Sequence, residues 1–377
     1  MINTKSENRI VFIDLMRAFA VLMMVQGHTI DALLANEYRT FDSLFYNIWN
    51  SMRGFTAPIF MFSSGTVFTY LLMSKKLPFN HNPRIWKGIK RFLLLVSLGY
   101  FLRFPTSNIF DFSNISENQW NVFFVVDALH LIGFGLLSII VLEFISEKFR
   151  LKNYYTFGLF AAIIFFTAPI ITSMNWDEYL PRFFSAYFFY KHGSLFPLFP
   201  WLGFVIFGGV FGNYLANNKD VFRNIKFVHN IIAVGLIFIV VGFLVHYARV
   251  YLIKPLSFWT DQTALSFYRL GVVLLLNSIM AFIAIKTQNV PSFFRITGKH
   301  TLSIYVTHLI IIYGSAWIPG LLVSFGQTLN SFQAISLAAG MIVAMVFLAL
   351  GIDKYLPLIN DKMQMMFREK NEKFENN

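Results

Sequence analysis

The hydrophobic positions of this chain fall in long, almost unbroken runs. Ten follow one another, at about 10–34, 54–74, 89–106, 122–146, 154–174, 196–216, 229–252, 264–285, 301–322 and 333–352. A helix of about 20 apolar residues crosses the roughly 30 Å of a bilayer's hydrocarbon, and most of the runs reach that length. The third is the weakest, because Arg91 and Arg103 bracket a short apolar stretch. The pattern predicts an all-α, polytopic integral membrane bundle of about ten transmembrane helices. It forms one domain over residues 1–360, followed by a polar tail at 361–377. The first run does not read as a cleavable signal: it is too long, carries Asp14, Arg17 and His28, and lacks a small-residue cleavage site. No internal repeat, low-complexity tract or soluble domain is visible.

The polar residues of that first run share a face. Arg17 and His28 are eleven residues apart, which at about 100° per residue brings them within about 20° of each other, about 16 Å apart along the axis. Asp14, three residues before Arg17, can pair with it on the same side. Charged groups are expensive in hydrocarbon, so such a stripe faces the bundle interior and marks a ligand or proton pathway. The plainer alternative is a structural ion pair plus a histidine at the membrane surface.

Composition narrows the class. Of 377 residues, 56% are hydrophobic and only 13% charged, which excludes an ordinary soluble domain. Cysteine is absent, removing disulfides, thiolate metal sites and a cysteine nucleophile. No two histidines have the paired helical spacing of a metal site, so no metal is expected. The net charge of +12 might suggest nucleic acid, but its placement argues otherwise. Twenty-two Lys and Arg lie at the N-terminus (Lys5, Arg9), in alternate loops and in the tail, against six on the other side: Arg39, Arg53, Arg182, Lys191, Arg249 and Lys254. This bias places both termini in the cytoplasm. The charge is topology, not a nucleic-acid footprint.

With that orientation the outer surface gathers His28, Asp31, Asp127, His130, His192 and Trp201, and Arg53 lies just before the second helix, with Pro58 in its first turn. Imidazoles beside carboxylates suit general base catalysis, the neutral histidine taking a proton and the carboxylate orienting it. On the inner side Ser303, Tyr305 and His308 climb the ninth helix to about 12 Å. Together with Arg17 and with Arg269 of the eighth helix they can line a cytoplasmic vestibule for an anion. Interhelical hydrogen bonding is the alternative.

Arg17-x10-His28, preceded by Ile13-Asp14-Leu15-Met16, resembles the opening of membrane-bound acyltransferases. The stretches IDLMRAFAVLMMVQGH, GFTAPIFMFSSG, HLIGFGLL, SLFPLFPWLGFVIFGGVFG and ITGKHTLSIYVTHL follow in an order similar to the bacterial relatives of heparan-α-glucosaminide N-acetyltransferase. His28 departs from that group, where the lysosomal enzyme looks to have Asn, and fits the broader Arg-x10-His acyltransferases. The resemblance implies that acetyl-CoA, taken from the cytosol, acetylates an amine or hydroxyl of a sugar or glycan on the far side of a bacterial inner membrane. On this reading His28 is the base, oriented by Asp127 or Asp31, and Arg17 paired with Asp14 holds the donor arm or polarises its thioester. Arg269, Tyr305 and His308 complete the donor side, while Arg53, His130, His192 and Trp201 meet the acceptor. The lipid bilayer is the surrounding partner, and a homodimer is allowed for. Two other classes stay open, a secondary transporter of an anionic or sugar solute and a non-catalytic scaffold. Dependence on acetyl-CoA separates the three.

Overall fold

The structure, a computed structural model, describes residues 10–218, 220–253, 256–287 and 290–375, with side chains as far as residue 358. Lys5, Arg9, Lys219, Lys254 and the side chains of the tail, which entered the charge count, lie outside it. Fourteen helices and two isolated β-bridges make up the regular α and β structure of the described residues. In chain order the helices are α1 (Val11–Leu33), α2 (Leu44–Met73), α3 (Pro83–Leu102), α4 (Glu117–Phe123), α5 (Ala128–Lys148), α6 (Asn153–Ser173) and α7 (Arg182–Ser185). They continue with α8 (Leu198–Asn217), α9 (Ile225–Leu252), α10 (Gln262–Lys286), α11 (Ser292–Lys299), α12 (Thr301–Tyr313), α13 (Leu321–Phe325) and α14 (Ser331–Glu375).

Eight of these, α1, α2, α5, α6, α8, α9, α10 and residues 331–358 of α14, are long and apolar enough to cross a membrane. The other two expected spans are real helices of a different kind. The first half of α3 carries Arg84, Lys87, Lys90 and Arg91, and α12 has only 13 residues. The run at 301–322 is broken because Gly314 adopts φ +84°, and Gly314 pairs with Pro319 in a tight turn before α13.

The second helix also departs from expectation. It starts at Leu44, where the Ser43 hydroxyl caps the Tyr46 N–H at 3.4 Å. Arg53 is therefore inside α2 rather than before it. Pro58 stands mid-helix rather than in the first turn, so the carbonyl of Gly54 has no i+4 N–H to accept from.

Helices α1, α2, α5 and α8 form the centre: 61% of the most apolar window of α1 is buried, against 22% for α9 and α14, which show most of their surface outward. Packing of α2 on α8 depends on missing side chains. A Cβ at Gly208 would lie 2.0 Å from the Phe62 carbonyl oxygen, and one at Gly212 would lie 2.3 Å from that of Thr66. Backbones meet there directly, the usual means of helix association where water supplies no hydrophobic drive. Successive long helices alternate in direction, leaving two ends, one holding Arg17 and the other His28. At the His28 end, strand-like bonds run from Ala35 N–H to the Leu329 carbonyl (2.9 Å) and from Leu329 N–H to the Leu33 carbonyl (3.0 Å). They tie the exit of α1 to the entry of α14.

Candidate active site

A cavity of about 1010 Å³ opens at the His28 end. Its walls come from the last turns of α1, the middle of α2, the end of α3, α4, the start of α5 and the end of α12. His28 lines it, and the seating of this imidazole is specific. Its Nδ1 is 3.0 Å from the Tyr313 hydroxyl, with the two rings perpendicular at 5.7 Å. The ring of His308 stands 5.4 Å away at 61°. With Nδ1 engaged by Tyr313, Nε2 is the nitrogen left for chemistry.

Two arginine–carboxylate pairs flank the imidazole. Arg53 Nη1 meets Asp31 Oδ1 at 2.9 Å, and Arg39 approaches the same oxygen at 3.5 Å. Arg39 also donates to the backbone carbonyls of Asp31 (2.6 Å) and Leu34 (2.8 Å), satisfying acceptors that the end of α1 leaves open. On the opposite wall Arg103 Nη1 meets Asp127 Oδ2 at 2.7 Å. Both guanidinium groups line the cavity, so its polar lining is charged yet internally compensated.

Asp127 has a second task. As N-cap of α5 its Oδ1 accepts from Leu129 N–H (2.9 Å) and His130 N–H (3.3 Å) and lies 2.9 Å from His130 Nδ1. An ionised carboxylate only accepts, so Nδ1 carries that hydrogen. Asp127 thus shares the cavity with His28 but forms its hydrogen bonds elsewhere, and the group bonded to His28 is Tyr313. His130 is fully buried beside Tyr100 (rings 4.4 Å apart) in space that a Cβ at Gly99 would occupy, 2.3 Å from its Cε1. It supports Asp127 and does not line the cavity.

Other expected site residues are scattered. His192 binds Asp177 through Nε2 (2.8 Å), and Arg182 donates to its Nδ1 (3.2 Å), pinning the segment between α6 and α8. Burial raises the Asp177 carboxyl, but hydrogen bonds from His192, Ser185 and Lys191 outweigh it and bring it down to about 2. The Trp201 indole donates to the Tyr190 hydroxyl at 3.0 Å, and the Arg269 guanidinium lies over the Trp201 ring at 5.4 Å. Arg269 Nη2 comes within 3.8 Å of the position a Gly54 Cβ would take. Arg269 therefore belongs to the His28 end, not beside Arg17. Running α10 from the His28 end makes position 269 early in the helix, which explains the difference.

At the far end Arg17 Nη2 donates to the Thr301 hydroxyl at 2.7 Å. Asp14 is buried, its carbonyl oxygen 2.3 Å from where a Gly298 Cβ would sit, so α11 rests directly on α1. Lys299 and His300 both pair with Asp353 of α14. Between the two ends the rings of Phe60 and Tyr305 stack at 6.3 Å, 6° apart, and floor the cavity. Tyr305 and His308 thus stand with His28 rather than with Arg17. Tyr313 and Arg103 are the site residues that sequence reasoning missed. Neither belongs to a motif, and Arg103 was legible only as a charge at the end of a weak span.

Among curated proteins, none matches the chain. Residues 10–353 match an acyltransferase domain family, acyltransferase 3. That match takes in every membrane-crossing helix but the end of α14 and the whole cavity around His28, and the chain is a membrane protein that belongs to the acyltransferase 3 family.

Proposed function

We propose that this protein transfers an acetyl group from cytosolic acetyl-CoA to a hydroxyl or amine of a sugar or glycan on the other side of a bacterial inner membrane. The observation that carries the reading is the setting of His28. It is an imidazole on a large cavity, tied at Nδ1 to Tyr313 and flanked by the Arg53–Asp31 and Arg103–Asp127 pairs. Family membership favours acyl transfer over the solute transport that a polar stripe also allows. A closer kinship, to the bacterial relatives of heparan-α-glucosaminide N-acetyltransferase, would make an amino sugar the acceptor.

The chemistry follows from the groups present. An acceptor O–H or N–H in the cavity gives its proton to His28 Nε2 as its heavy atom attacks the thioester carbonyl. The carbon–sulfur bond then breaks, and His28 returns the proton to the departing sulfur. The Arg103 and Arg53 guanidinium groups face the space where negative charge develops on the carbonyl oxygen, an effect that counts most in a dry site. Asp127 and Asp31 hold those two cations in place. Arg17 and Tyr305 would hold the donor arm. Because Phe60 and Tyr305 close the floor, a donor entering from the Arg17 end requires these rings to part. Arg269 moves to the acceptor side, backed by Trp201.

The test is thiol release from acetyl-CoA by purified protein offered sugar alcohols and amino sugars, with a thiol reagent as readout. With no cysteine of its own, the protein adds no background. Release that needs an acceptor and falls by about 10²–10⁴ in His28→Ala supports the reading. Undiminished release in a folded His28→Ala protein overturns it.

A further inference from the structure

His308 has no part in the reaction as written, yet its surroundings are unusual. It is completely buried, and its Nδ1 is 2.8 Å from the Ile304 carbonyl oxygen one turn earlier. A carbonyl only accepts, so Nδ1 carries the hydrogen and Nε2 a lone pair. Among the described residues that Nε2 has no hydrogen-bond partner. A buried acceptor left unmade is destabilising, a cost that a leucine or phenylalanine of similar size would avoid. Of the described residues, one further histidine has an unpartnered buried Nε2, His130, and it is accounted for by its bond to Asp127. His308 has no such duty. It stands instead 5.4 Å from His28, ring to ring, and 5.7 Å from Tyr305.

We infer that His308 is a positioning residue for the acyl transfer, a second, neutral imidazole that stabilises His28 while His28 holds the acceptor's proton. The inference rests on the acyl-transfer reading above. Once His28 is protonated, both its nitrogens carry hydrogen and a full charge sits where charge is costly. The Tyr313 oxygen accepts from Nδ1, and the neutral His308 ring, whose Nε2 holds an unshared lone pair, stands 5.4 Å from the same imidazolium, ring to ring. A carboxylate in that place would hold the proton too firmly to return it, and a cation would repel it. The tautomer lock by Ile304 leaves Nε2 of His308 an acceptor rather than a donor. No proton is exchanged in net: it passes from acceptor to His28 to the thiol sulfur.

Two readouts test this. In turnover, His308→Phe is expected to lower kcat about tenfold or more while both KM values stay within about threefold. His308→Gln, which places an amide oxygen near the position of Nε2, is expected to recover most of that loss. The second readout needs no turnover: diethyl pyrocarbonate acylates neutral imidazole, releasing carbon dioxide and ethanol, and its rate at His28 is read by peptide mass spectrometry. That rate is expected to fall at least about fivefold in His308→Phe and to return in His308→Gln, since the acylated ring is cationic until it sheds its hydrogen. If His308→Phe does not fold, His308→Asn against His308→Gln carries the same contrast, because the shorter Asn amide can keep the donor to Ile304 but places no acceptor at the position of Nε2. Labelling and kcat both within about twofold of wild type overturn the inference, as does a loss confined to KM for acetyl-CoA. Absence of turnover in wild type would count against the acyl-transfer reading alone, with the labelling rates still deciding the role of His308.

Discussion

The Tyr313 hydroxyl is a hydrogen-bond partner of the His28 imidazole, and the consequence can be measured. At 3.0 Å from Nδ1 it sets which ring nitrogen faces the cavity. Tyr313→Phe keeps the perpendicular ring packing and removes only the oxygen. It should lower kcat about tenfold with little change in either KM, read by thiol release, because the lost bond is strongest when His28 is charged. A change in KM alone would instead make Tyr313 a substrate contact. Periodicity alone exposes the Arg17–His28 stripe, since two residues of one helix need no tertiary knowledge to be placed on one face. It cannot pair Arg103 with Asp127 or His28 with Tyr313, because those partners are 24 and 285 residues apart and meet only through helix packing. For the same reason Asp127 reads from sequence as an orienting carboxylate for His28, whereas its oxygens serve the α5 cap, His130 and Arg103.

Among the helices, the α2–α8 contact joins two parts of the cavity wall, because α2 carries Arg53 and Phe60 and the residues leading into α8 include Leu195 and Phe196. Gly208→Leu should separate the two helices, since even a Cβ would meet the Phe62 carbonyl at 2.0 Å and backbone cannot yield as a side chain can. The expected outcome is loss of folded, monodisperse protein in detergent or a melting point lowered by many degrees; an unchanged melt would mean that this contact is looser than described. Existence and order of the helices are legible from hydropathy, as the ten runs correspond one to one with α1, α2, α3, α5, α6, α8, α9, α10, α12 and α14. Their ends are less so. Pro58 reads as a start signal, yet membrane helices absorb a mid-helix proline, so α2 runs on from Leu44. Gly314 lies within an apolar stretch that hydropathy cannot divide, and there the backbone turns back.

Across the whole molecule, the candidate site residues are laid out along the helix axes. His28, Tyr313, Arg53 and Arg103 stand at one end, Arg17 and Thr301 at the other, with stacked Phe60 and Tyr305 between. An enzyme confined to one side of the membrane would have no need for that division, whereas transfer across it would. Sealed liposomes containing the purified protein, sorted by orientation, put this to the test. Labelled acetyl-CoA would be supplied only at the face nearer Arg17 and the acceptor only at the other, and acetylated acceptor would be measured. Transmembrane transfer predicts product on the far side in wild type, none in His28→Ala, and none when donor and acceptor are given to the reversed faces. Product formed equally well with both substrates on the His28 face alone would contradict the account.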